Sequence, residues 1–119
     1  MQHSIKVVSK DDKTGKVEVF TFSHTLHSLQ RSSQRGISDS KLAIAILYGE
    51  PHYKQGLIYY VLGEDRIPDR LRTEKEKLRN TVVVVDGDSD TVITCYRSKD
   101  PYKHIRIKSK TLFTNKIAA

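Results

Sequence analysis

His27-Ser-Leu-Gln-Arg31-Ser-Ser-Gln-Arg35-Gly36-Ile37-Ser38 is the stretch on which the fold turns. It predicts a helix from about His24 to Arg35, capped by Ser23 and stopped at Gly36, where glycine takes a left-handed conformation without penalty. Leu26, Leu29 and Ser33 fall on the inner side of that helix. Ser38 then caps a second helix, with Asp39 near its positive end and Leu42, Ala43, Ile46 and Leu47 as an apolar stripe running to Gly49. Two short helices joined by Gly36-Ile37 make a helical hairpin.

Working outward, residues 5–8 and 16–22 are alternating, β-branched runs separated by the turn formers Asp11-Asp12-Lys13-Thr14-Gly15, which predicts a β-hairpin. Past Glu50-Pro51, the run Leu57-Ile-Tyr-Tyr-Val-Leu62 favours a strand. Residues 64–80 are rich in charge and carry only Ile67, Leu71 and Leu78 as an apolar seam, so a short exposed helix or ordered loop is expected. Residues 82–85 are apolar on both faces, as in a central strand, and the turn Asp86-Gly-Asp-Ser-Asp90 returns the chain into a strand over residues 91–97. A short helix over residues 101–105 and an extended or frayed tail follow. The class is α+β, a two-helix hairpin packed on an antiparallel sheet of three to five strands. Leu26, Leu29, Leu42, Ile46, Val83, Val85, Ile93 and Cys95 are expected to share one core.

A chain of 119 residues with 37% apolar content supports one hydrophobic core, hence a single domain over residues 1–119. The formal charge is +7, and from Arg97 to the C-terminus seven basic residues stand against one acid. Such a surplus favours polyanionic partners. Cys95 is the only cysteine, so there is no intramolecular disulfide and no cysteine-rich metal cluster. With no signal-peptide pattern and no apolar run of membrane-spanning length, a cytoplasmic location and no membrane partner are expected.

His27, Arg31 and Arg35 recur at four-residue steps and fall on one helical face. Like charges placed this way cost helix stability, so chance, solubility or a negatively charged partner accounts for them, and a phosphate backbone is the favoured partner. Metal-independent RNA cleavage needs a base for the 2′-OH, an acid for the leaving oxygen and cations for the charged phosphorane. His27 is the candidate acid or base, with Arg31, Arg35 and Arg97 as phosphate clamps. The alternative is structural: His27 bonds the sheet, and the arginines solvate the helix or pair with Glu50 or Asp39. Thr94 and Tyr96 share one face of their strand, opposite Ile93, Cys95 and Arg97, and Tyr96 either stacks on a base or is a core residue with a wet tip. At most one of Tyr59 and Tyr60 can join it.

The His24-x-x-His27 pair lacks a third ligand, so no metal is expected. Asp86, Asp88 and Asp90 match the first three positions of a calcium loop, but Thr91 replaces the required glycine and Arg97 the bidentate acid, so a hairpin turn accounts for them. Cys95 in an apolar strand reads as an inert thiol. No glycine pattern implies a nucleotide cofactor, and no cofactor is expected. In the tail, Lys103, Arg106 and Lys108 alternate with Ile105 and Ile107, which suits either a protected edge strand or a ribbon tracking phosphates.

His27, Arg31 and Arg35-Gly36-Ile37-Ser38, then Gly49-Glu50, then Val92-Ile93-Thr94-Cys95-Tyr96-Arg97 give the chain a pattern that resembles the bacterial and phage family called domain of unknown function 4258. The resemblance covers residues 22 to about 110, leaving residues 111–119 as a basic tail. It departs from the pattern after Arg31, where Ser32 and Ser33 stand in place of an apolar residue. The family is similar to the RelE-like toxins and barnase-like ribonucleases, which implies RNA as target, cleavage without a metal and an antitoxin-like acidic protein as a possible partner. The expected function is therefore RNA-directed: a metal-independent toxin-like endoribonuclease, or else a non-catalytic RNA-binding or protein-interaction module. Lys103, Arg106 and Lys108 join Thr94 and Tyr96 as expected substrate contacts.

Overall fold

The computed structural model describes residues 3–102 and 105. Strand β1 (His3–Lys10) and β2 (Val17–His24) form the expected hairpin. Its turn closes through Asp11, whose carbonyl accepts from Gly15 N at 2.7 Å while its carboxylate accepts from Lys13 N at 2.8 Å. Helices α1 (Leu26–Gln34) and α2 (Asp39–Tyr48) follow, then β3 (Glu50–Lys54) and β4 (Leu57–Leu62). Two 3-10 segments (Glu64–Arg66 and Asp69–Glu74) and the one-turn helix α3 (Lys75–Leu78) occupy the charged stretch before β5 (Thr81–Asp86) and β6 (Thr91–Arg97).

The sheet has six strands in the order β1-β2-β6-β5-β4-β3. It exceeds the expected three to five strands and is mixed, because β2 meets β6 in parallel through Ser23↔Thr91 and His24↔Val92. Beyond His24 the chain leaves the sheet, and α1 packs along β6 in its stead. The added strand β3 pairs with β4 around a turn in which Gln55 and Gly56 both take positive φ, 53° and 80°. That left-handed pair matches the right-handed twist of the flanking strands.

Two apolar layers sandwich the sheet. On the helix side Ile5, Val7, Phe22, Leu42, Ala45, Ile46, Val83, Val85, Val92 and Cys95 are buried together with Ile37, Leu62 and Leu78. On the other side Val61, Val82 and Val84 are covered by Ile105, with Leu57, Tyr59, Tyr96 and Tyr102 around them. Every residue from Thr81 to Val85 is buried, which makes β5 the central strand. Pro101 and Tyr102 form a turn and Ile105 is helical, while the rest of the expected helix and the tail fall outside the described residues.

Three expected core positions are corrected. Helix α1 begins one residue past its cap Thr25, not at His24, which is the last residue of β2. That register turns Ser28 and Ser32 inward, leaving Leu26 72% exposed and Leu29 only half-buried. Ile93 is 39% exposed because the β5–β6 ladder shifts between Val84 and Val85: Val84 faces Thr94 and Val85 faces Val92. Ile93 is the extra residue of a β-bulge, so Val92 and Cys95, three apart, share the inner face. By contrast Ser38 caps α2 as expected, its hydroxyl accepting from Lys41 N.

Candidate nucleic-acid interface

The residues singled out in sequence are divided between the two sides of the sheet. His27 and Arg31 lie exposed on the outer face of α1, and their side chains make no hydrogen bond or ion pair among the described residues. Arg35 ends the helix and donates from Nη1 to the Cys95 carbonyl at 2.6 Å. A rise of 1.5 Å per residue separates His27 from Arg35 by about 12 Å along the axis. Arg97 donates from Nη2 to the carbonyls of Glu76 at 2.6 Å and Arg79 at 3.3 Å, closing the C-terminal end of α3. Arg35 and Arg97 thus meet the same stretch of β6, while His27 stands at the far end of α1.

Thr94 and Tyr96 belong to the opposite face: they pair with Val84 and Val82, which pack on that side. Lys103, Arg106 and Lys108 lie outside the described residues. His24 and His27 are split between a buried strand end and an exposed helix face. Asp86, Asp88 and Asp90 form the β5–β6 turn, where Asp86 Oδ1 accepts from Asp88 N at 2.9 Å. Cys95 is fully buried, and burial pushes its thiol up to about 11 against the opposing pull of Arg35. It is a thiol, not a thiolate, at neutral pH.

Sequence reasoning missed a further group of chemically active side chains. Gly49 ends α2 and lets the chain enter β3 at once; a Cβ there would sit 2.3 Å from the Ala45 carbonyl oxygen. Glu50 and His52 then fall on one strand face, in register with Val61 and Tyr59. Glu50 Oε1 is 3.3 Å from His52 Nε2, close enough for an ion pair although the alignment is not that of a hydrogen bond. Glu50 Oε2 is 3.5 Å from Arg66 Nη2. The Tyr102 ring meets His52 edge-on with centroids 5.2 Å apart. Burial first, and the Glu50 charge next, push the Tyr102 phenol above its ordinary value, so it stays a proton donor.

Glu50 and Arg66 are open to solvent, with side-chain exposures of 40% and 46%, while His52 keeps 25% and its Nε2 is buried. Beside them Lys54 Nζ lies 5.6 Å above the Tyr59 ring. A carboxylate, an imidazole, a guanidinium and a phenol therefore border a sheet face that also carries Tyr59 and Tyr96. The pairing of Glu50 with His52 was readable from the strand period alone, had residues 50–54 been taken as a strand. Comparison with family models, curated proteins and solved structures returns no match to the chain. Among the described residues no helix is long and apolar enough to cross a membrane.

Proposed function

We propose that this chain is an RNA-directed protein that cleaves a phosphodiester without a metal, on the sheet face opposite its helices. The observation that carries this reading is the meeting of Glu50, His52, Arg66 and Tyr102 at one place on that face. In the reaction Glu50 takes the proton of a ribose 2′-OH as its oxygen attacks phosphorus. The bond from phosphorus to the 5′ oxygen breaks, and that oxygen takes a proton from the His52 imidazolium, leaving a 2′,3′-cyclic phosphate and a 5′-hydroxyl. Arg66 and the Tyr102 hydroxyl are the groups that steady the phosphorane oxygens. The resemblance to the family of unknown function 4258, and through it to RelE-like and barnase-like ribonucleases, points the same way.

A non-catalytic reading draws on Lys54, Tyr59 and Tyr96, since Tyr59 with the Lys54 cation above it and Tyr96 on the same face suit stacked bases and phosphates. A protein-interaction reading draws on the β1–β2 hairpin, where Val8, Val17, Val19 and Phe20 are exposed. Single-stranded RNA incubated with pure protein and excess chelator separates these. Cleavage to a cyclic phosphate is expected, with Glu50→Gln and His52→Ala each losing about 10² to 10⁴ in rate while still binding RNA. Loss in His27→Ala alone would move the chemistry to α1, with Arg31, Arg35 and Arg97 as its phosphate groups. RNA bound and never cut leaves the binding reading, and RNA not bound leaves the protein-interaction reading.

A further inference from the structure

We infer that the end of the sheet beyond β6 holds a second, separate anion site, built for a phosphate group and formed by Arg79, Asn80, Arg97, Ser98 and Lys99. These five residues line one concavity of about 230 Å3. Three of them are cations. What distinguishes the place from an ordinary basic surface is how Arg97 is held. Its guanidinium is fixed by the carbonyls of Glu76 and Arg79, which are neutral acceptors, so the side chain is oriented while its charge stays uncompensated. Arg79 is partnered by the exposed Glu76 carboxylate at 3.0 Å, an acid that solvent already screens. The floor is fixed as well: Asn80 takes φ 65°, donates from N to the Leu62 carbonyl at 2.7 Å and accepts from Ser98 N at 3.2 Å. Orientation of a fork-shaped cation before the ligand arrives removes an entropic cost of binding an oxyanion.

The register places this site relative to the Glu50–His52 pair. Arg97 faces Thr81 and Thr81 faces Leu62 of the helix-side layer, whereas Glu50 faces Val61 of the other layer, so the two sites lie at the same end of the sheet but on opposite faces. Three strand spacings of about 4.8 Å separate them in the plane of the sheet, and the sheet itself lies between them. The anion site therefore stands apart from the place where Glu50 would cut; that an RNA phosphate occupies it rests on the proposed RNA-directed function, and the site itself does not.

The probes are inorganic phosphate and a single-stranded RNA oligonucleotide, with the full chain. Phosphate is expected to shift the NMR signals of Arg97 Nε–H and of the Ser98 and Lys99 amides. Lys99→Ala, an exposed side chain, should weaken phosphate binding about tenfold, the effect of one lost charge-assisted bond. Arg97→Lys keeps the charge, loses the fork and serves where Arg97→Ala would unseat α3. For RNA, Lys99→Ala should make the salt dependence shallower by about 0.7 in log–log slope. Phosphate shifts without a change of RNA slope support the site with a small phosphate ligand as its occupant. Phosphate shifts in a protein that neither binds nor cuts RNA support the site and refute the functional reading. No phosphate shift at these residues overturns the site.

Discussion

His24 Nδ1 lies 2.6 Å from Ser28 Oγ, and this contact seats the first helix on the sheet. The ring is 1% exposed and the serine fully buried. Ser28 Oγ also lies 3.0 Å from the Thr25 carbonyl; with its hydroxyl proton assigned there, Nδ1 is the donor to the serine oxygen. Nε2 faces Ser32 Oγ at 3.4 Å, a weaker partner. Ser28→Ala would strand a buried donor and should cost about 1 to 3 kcal/mol in urea unfolding, with Ser32→Ala costing less. Equal stability of Ser28→Ala and the parent would show that His24 has another partner.

The same ring makes stability depend on pH. Burial lowers the His24 pKa below its ordinary 6.5; Asp39 opposes that shift and His3, whose ring centroid is 5.8 Å away, adds to it. Below pH 6.5 the unfolded chain therefore binds a proton that the folded chain refuses, and stability rises with pH through that window. Unfolding midpoints should be flat above the window and fall as pH drops below 6.5, with His24→Gln losing that slope. A midpoint in the parent that holds steady down to pH 5 would contradict it.

How far the fold was legible follows from a few residues. The hairpin, α2 with its Ser38 cap, β4, β5 and β6 were readable because turn formers bracket periodic apolar runs. Helix α1 was misplaced because its inner face is polar: Ser28 and Ser32 pack on His24, whereas Leu26 and Leu29 suggested the wrong side. Ile93 misled because a bulge breaks the two-residue period on which the reading rests. Strand β3 was hidden by Pro51, tolerated only because β3 is an edge strand, and by a Gln55-Gly56 turn in place of the usual Asn-Gly. Missing β3 meant missing the site, since Glu50 and His52 share a face only if residues 50–54 are extended. Arg35 and Arg97 were found by charge, but their carbonyl partners belong to tertiary structure that no local pattern encodes.

Gly49 links that architecture to the chemistry. It takes φ −66°, which any residue adopts, so conformational freedom is not its purpose. Space is: an added Cβ would meet the Ala45 carbonyl oxygen at 2.3 Å and the Tyr60 and Val61 carbonyl carbons at 3.3 Å. All three are backbone atoms, so the methyl of Gly49→Ala can be housed only by moving α2 away from β4. Glu50, the next residue, moves with it, and the contacts of 3.3 Å to His52 and 3.5 Å to Arg66 open. Overpacking of this kind costs about 1 to 3 kcal/mol. Gly49→Ala should therefore lower the urea midpoint and, where the parent cuts RNA, reduce the rate more than the affinity, because proton transfer depends on position more steeply than binding does. A variant with the parent's midpoint would show that α2 and β3 are not locked at this junction. A variant that is destabilised but cuts at the full rate would remove Glu50 from the reaction.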